Sequence, residues 1–264
     1  MTASASDPRV REALSWLESK GSPRRREEMA TRYGIHAKKA WGVPMAAMQQ
    51  LGKKLGRDHA LAAALWATGW YEARIVACYI DEPERGTPAQ MDRWAKDFDN
   101  WGIVDTVCFV LFDRTPHAWA KARAWCARRE EFVRRAGFVL VACLGLHDKA
   151  SGDAPFERSL DWIEKGAADE RNFVKKGVSW ALRVVGRRST GLLAPAAALA
   201  ERLAASKDPA ARWVGKDALR DFAKAGARAR SKAKAGAGAK AKPGAKAGPT
   251  TKKTWPASDA RAGR

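Results

Sequence analysis

The chain has 264 residues, 46% of them hydrophobic, and carries 49 Lys and Arg against 29 Asp and Glu, a formal net charge of +20. That length holds one large domain or two small ones around a sizeable core, and the charge points to a polyanionic partner, nucleic acid foremost, although ribosomal and membrane-surface proteins share it. No apolar run approaches the roughly 18 residues of a membrane span, and the opening MTASASDPRVREAL lacks the apolar stretch of a signal peptide, so a cytoplasmic protein is expected.

Residues 1–223 read as all helix. Helix formers dominate, apolar positions recur at helical spacing (Leu61 and Leu65; Val139, Ala142 and Cys143), and no period-two stretch is bounded by hairpin turns. Pro44, Pro83, Pro88, Pro116, Pro155, Pro195 and Pro209 mark expected segment edges. The stretch DFDNWGIVDTVCF, from Asp97 to Phe109, gathers carboxylates around a tryptophan in a basic chain. One of Asp97, Asp99 and Asn100 is expected to cap the apolar helix that follows. Asp105 lies four residues after Trp101, so the two share a helix face. Beside Val107, Cys108 and Phe109 an unpaired carboxylate would be costly, which leaves a functional group or a buried ion pair.

An internal repeat follows. FVRRAGFVLVA begins at Phe132 and FVKKGVSWALR at Phe173, 41 residues later; YEARIVACYI at Tyr71 and ARWVGKDALRDF at Ala211 are weaker copies. A period near 40 with two helices per unit is the pattern of HEAT-like solenoids. The expected fold is therefore an all-α, HEAT-like helical repeat in which second helices line one concave face. Arg134, Arg135, Lys175 and Lys176 would form a basic stripe there, suited to a duplex backbone. The cysteines (78, 108, 126, 143) and histidines (36, 59, 117, 147) are scattered, with no CxxC pair, so neither zinc nor disulfide is expected.

From Lys224 the composition collapses to Lys, Arg, Ala, Gly and Pro, with twelve bases and one acid, a net +11 that leaves +9 for the rest. With almost no large apolar residues, residues 224–264 are expected to be a disordered basic tail that contacts nucleic acid through its charge.

These motifs carry a family likeness. The chain resembles the DNA alkylation repair DNA glycosylases of the AlkD type, which are HEAT-like repeat proteins, over roughly residues 20–220 and not the tail. WGIVD, Trp101 to Asp105, looks like the family's W-x-x-x-D active-site motif. RRAGFVL puts Arg135 where the family has an arginine on its DNA face, and VKKGVSWALR puts Trp180 at its second active-site tryptophan. MATRYG puts Tyr33 on its N-terminal aromatic, and WGVP at 41–44 resembles its G-[IV]-x-x-P region, here shortened. The resemblance implies a monomeric, nucleoid-associated enzyme without metal or small-molecule cofactor. Its partner would be double-stranded DNA containing alkylated purines, and it would cut the N-glycosidic bond of cationic N7- and N3-alkyl adducts. In that family the lesion stays in the duplex rather than being flipped into a base pocket. Asp105 would stabilise the oxocarbenium ion and position water, Trp101 and Trp180 would offer π faces, and Arg135 would hold a phosphate. Two other readings remain: a non-catalytic HEAT-like protein for damaged or branched DNA, against which the retained Asp105 counts, and a protein–protein scaffold, against which the basic stripe counts.

Overall fold

Several helices begin where the sequence supplies an acceptor for their free N–H groups. In the computed structural model, which describes residues 7–240, the side chains of Asp7, Ser22, Asp58, Thr87, Asn100 and Ser189 each take a backbone N–H at the first turn. They open α1 (Pro8–Ser19), α2 (Pro23–Thr31), α4 (His59–Ala67), α6 (Pro88–Ala95), α7 (Trp101–Val110) and α12 (Thr190–Ala204). The remaining helices are α3 (Met45–Leu55), α5 (Tyr71–Ile80), α8 (Ala118–Cys126), α9 (Glu131–His147), α10 (Ala154–Gly166), α11 (Asn172–Arg188) and α13 (Pro209–Lys240), with two short 3-10 turns and no strand among the described residues. Six of the seven prolines fall at or between segment edges. Pro195 instead sits inside α12, because the Ser189 cap starts that helix more than a turn earlier.

Up to Lys224 the helices pack as HEAT-like pairs. The second helices α5, α7, α9 and α11 stand side by side in sequence order, and α4, α8 and α10 each pack on the following one. Aromatic and polar contacts join the first helices of successive pairs. Trp66 of α4 stacks on Trp94 of α6 at 3.9 Å between ring centroids. Asp92 of α6 accepts from Trp125 Nε1 and Lys121 of α8 at 3.1 and 2.6 Å, and Trp119 of α8 meets Trp162 of α10 edge-on at 6.5 Å. The repeat seen at Phe132 and Phe173 is a physical contact as well: the two rings lie 5.4 Å apart, at the starts of α9 and α11. The four cysteines are buried and free, and burial pushes the thiols of Cys78, Cys108 and Cys143 well above their usual pKa.

The expected tail, residues 224–264, begins within α13. Residues 225–240 continue α13 as helix. Alanine, lysine and arginine are strong helix formers, and no proline interrupts them before Pro243; composition without core residues argued against packing, not against local helix. Residues 241–264 of the expected tail lie outside the described residues.

Close packing of α8 on α9 depends on Gly137, where a Cβ would collide with the backbone of Trp125 and Cys126. Gly137→Ala is expected to destabilise the fold by about 2 kcal/mol, as overpacking does, read as a lower urea midpoint at unchanged slope.

Candidate active site

The carboxylates of the 97–109 stretch divide by task. Asn100 is the cap of α7, accepting from the Ile103 N–H at 3.0 Å while its amide donates to Asp99 at 2.7 Å. Asp97 accepts from Trp66 Nε1 at 2.8 Å and pairs with Arg74 at 3.2 Å. Both are structural. Asp105 alone is turned toward α9, where the Arg135 guanidinium grips it as a two-pronged fork, Nε to Oδ1 at 2.9 Å and Nη2 to Oδ2 at 2.7 Å. The third arm of Arg135, Nη1, donates to the Phe173 carbonyl at the start of α11 at 2.6 Å. One side chain thus ties three successive second helices together.

This position differs from the phosphate-holding role expected of Arg135. Its side chain is 7% exposed while that of Asp105 is 23% exposed, so the arginine sits behind the carboxylate and presents it. Consecutive helical residues point about 100° apart, and a basic pair cannot send both members to one face. Arg134 accordingly reaches Asp169 at 3.4 Å. In the equivalent pair, Lys175 lies over the Trp213 ring at 5.2 Å and Lys176 is exposed. The anticipated stripe is therefore reduced: both arginines are held by acids within the fold, and Lys176 is the base left pointing outward.

Burial lifts the Asp105 carboxyl above the usual aspartate range, and the charge and hydrogen bonds of Arg135 act against that shift. Each carboxylate oxygen accepts one bond from the arginine and keeps a further lone pair free. A rigidly oriented carboxylate on a partly open wall is suited to facing positive charge.

That wall belongs to a cleft of about 390 Å³ between α2, the 33–45 segment and α7, lined by Tyr33, Trp101 and Asp105 among others. Trp101 Nε1 donates to the Tyr33 carbonyl at 2.8 Å, which fixes the indole against the segment before α3. Tyr33 itself is 47% exposed. The structure thus brings Tyr33, Trp101, Asp105 and Arg135 together. Trp180, half-buried on α11, does not line this cleft; it stands seven residues, about 10 Å of helix, beyond Phe173.

Glu72 is a residue the sequence reading missed. Fully buried, its Oε1 accepts the N–H groups of Trp41, Gly42 and Val43 at 3.0, 2.8 and 3.3 Å. This wraps the WGVP segment around one oxygen. The bend needs Gly42 at φ +78°, a conformation side chains oppose. Gly42 and Val43 line the cleft, so Glu72 shapes its floor. The available signal was its spacing: Glu72 shares a face with Ile75 and Val76, three and four residues on, and a carboxylate on such a face needs a partner.

A family model described as DNA alkylation repair enzyme matches residues 13–224. The chain belongs to the DNA alkylation repair enzyme family. A solved structure described as "a new family of proteins related to the HEAT-like repeat DNA glycosylases with affinity for branched DNA structures" superposes with a TM-score of 0.67 at 22% identity, covering 80% of this chain and 94% of the other. That likeness gives the HEAT-like fold. No curated protein matches the chain.

Removing the fork should expose what it does. Arg135→Met is expected to lower stability by about 3 kcal/mol at pH 7, because Asp105 is left charged and unpaired. The loss should shrink as the pH falls, since in the variant the folded-state pKa of Asp105 rises further above its unfolded value and protonation is favoured by folding. Urea titrations of both proteins at pH 7 and pH 5 measure this; a loss equal at both pH values would leave the pair without electrostatic weight.

Proposed function

We propose that the chain is a monofunctional alkylpurine DNA glycosylase, hydrolysing the N-glycosidic bond of cationic N7- and N3-alkylated purines in double-stranded DNA. The observation that carries this reading is the Asp105 carboxylate, held open on a cleft wall by the Arg135 fork and flanked by Trp101, in a chain of this repair family.

The chemistry suits such a site. An alkylated purine is already positively charged. When the bond between C1′ and the ring nitrogen breaks, its electron pair goes to the purine, which leaves neutral, so no strong general acid is required. Positive charge develops on the deoxyribose as an oxocarbenium ion. Asp105 faces that charge, and a free lone pair accepts a proton from the attacking water as the water oxygen bonds C1′. Free base and an abasic site result. Trp101, and Trp180 from α11, offer π faces to the cationic nucleotide. Arg135 acts through Asp105 as a positioning residue. The resemblance further implies that the base stays at the duplex rather than being flipped into an enclosing pocket. Tyr33 and Lys176, both exposed, supply contacts to the backbone. The chain acts as a monomer at the nucleoid, without metal or small-molecule cofactor. Among the described residues no helix is long and apolar enough to cross a membrane.

A second reading, binding of branched or damaged DNA without excision, is favoured by the description of the structural neighbour. Single-turnover release of N7-methylguanine from a duplex separates the two. Under the first reading the wild type releases base and Asp105→Asn, which keeps the shape and removes the charge, is slower by about 10²–10³-fold, with binding to an uncleavable abasic analogue nearly unchanged. Absence of release by the wild type would establish the second.

The basic residues beyond Lys224 are proposed to pair with backbone phosphates without choosing the lesion. Removal of residues 225–264 should flatten the slope of log K against log salt by about 0.9 for each phosphate the shortened chain no longer neutralises, with excision of bound lesions unchanged; an identical slope would exclude that role.

A further inference from the structure

The layer of second helices carries a further polar group that the excision reading leaves unused. On α7, Phe109 lies four residues after Asp105 and so shares its face one turn on, and it is 40% exposed. Its ring meets that of His147, at the end of α9, edge-on at 4.4 Å between centroids. Nδ1 of this imidazole is held by the carboxylate of Asp113, which is wholly enclosed, while the His147 side chain stays 32% exposed. With Nδ1 turned inward, the edge that carries Nε2 faces outward, and among the described residues no polar group meets it.

A second histidine–aspartate pair shows what a purely structural one looks like. His59, on the first helix α4, meets Asp81 at 2.6 Å. Both Asp81 oxygens are occupied, Oδ1 also by the Glu82 N–H at 2.8 Å and Oδ2 by Gln90 Nε2 at 2.7 Å. Asp113 has no such network: among the described residues its one side-chain partner is His147, and its Oδ1 is buried without a hydrogen bond. A carboxylate so enclosed is stabilised by a cation beside it, and the imidazolium is the cation within hydrogen-bond reach. The other charged and titratable groups around the ring leave Nε2 free. Cys108 and Cys143 are buried on the Asp113 side, and the charge of Arg114 acts on Asp113. Arg188 of α11 donates to the Gly145 and Ser151 carbonyls at 3.2 and 2.7 Å. Asp148 is turned to Trp119 and to the N–H groups of Ala150 and Ser151, and Lys149 is exposed.

One helical turn along α7 and the ring-to-ring contact put the imidazole on the order of 10 Å from the Asp105 carboxylate, about three nucleotides of rise along one strand. A duplex with a deoxyribose against Asp105 therefore brings a backbone phosphate within reach of His147. We propose that His147 is a phosphate-binding residue of the DNA surface, holding one backbone phosphate through Nε2 as an imidazolium braced by Asp113, so that this contact forms as the pH falls and is lost as it rises. Phe109 fixes the ring from the side. The proposal rests on duplex binding, which the excision and branched-DNA readings share, and adds to either a contact with its own residues.

The test measures the slope of log K against log salt for a duplex that carries the uncleavable abasic analogue. A histidine changes charge between about pH 5 and 8, so the slope is taken at about pH 5.5 and at about pH 8.5. His147→Asn keeps an amide nitrogen in the place of Nδ1 to donate to Asp113 but presents no charge. It should flatten the slope by about 0.9 at the lower pH, the weight of one phosphate, and leave it unchanged at the higher. His59→Asn should keep the wild-type slope at both. A second measurement needs no substitution: in NMR titrations of the wild-type imidazoles, the duplex should raise the His147 midpoint by about one pH unit, because a phosphate stabilises the charged ring, and leave that of His59 in place. A His147→Asn slope equal to wild type at the lower pH, or a His147 midpoint unmoved by DNA, would overturn the contact and leave both readings of function standing. Should His147→Asn not fold, the midpoint decides alone. A wild type that does not bind the duplex would overturn the contact together with both readings.

Discussion

One ion pair organises this molecule. Arg135 is nearly buried and carries a charge that water would solvate far better than protein does, so it depends on Asp105 and the Phe173 carbonyl, which together take three of its five N–H groups. Those two partners belong to the helices on either side of α9. The stacking of α7, α9 and α11 is therefore set by a directional contact as well as by apolar packing. Asp105 gains in turn: burial alone would favour its neutral form, and the guanidinium works to keep it ionised where it reaches the cleft.

Around that pair the wall of the cleft is held by polar contacts rather than left to side-chain packing. The indole of Trp101 is anchored on the Tyr33 carbonyl, and the WGVP segment is gathered onto one oxygen of Glu72. A site built this way loses little order when a ligand arrives, because its walls are already fixed. On the opposite layer, stacked tryptophans and the Asp92 contacts, an ion pair to Lys121 among them, hold the first helices.

What could be read from the chain alone follows the range of each interaction. The α7 cap and the shared face of Trp101 and Asp105 depend on spacings of three or four residues, and they were legible. So was the 41-residue period, which the structure realises as the Phe132–Phe173 contact. Asp105 was open to either of two readings, a functional group or a buried ion pair, and the structure makes the ion pair plain while leaving the carboxylate partly exposed on the cleft. The identity of its partner, 30 residues away, was not legible, because it depends on how α7 and α9 are rotated against each other. For the same reason Arg135 looked like a base for a phosphate. Glu72 was hidden because its three partners lie about 30 residues upstream, in a loop whose path required Gly42 to bend. The Ala- and Lys-rich stretch up to Lys240 is helical because a segment can lack a core and still favour helix.

The buried cysteines have a further meaning for a chain of a DNA alkylation repair family. Thiolate is the nucleophile that electrophilic alkylating agents attack first in proteins, and the thiol is far less reactive. Cys78, Cys108 and Cys143 are enclosed, and burial keeps them in the thiol form well past neutral pH; the thiol of buried Cys126 is pushed up in the same way. The packing that completes the helical core thereby encloses all four sulfur atoms and keeps them out of reach as thiolate nucleophiles.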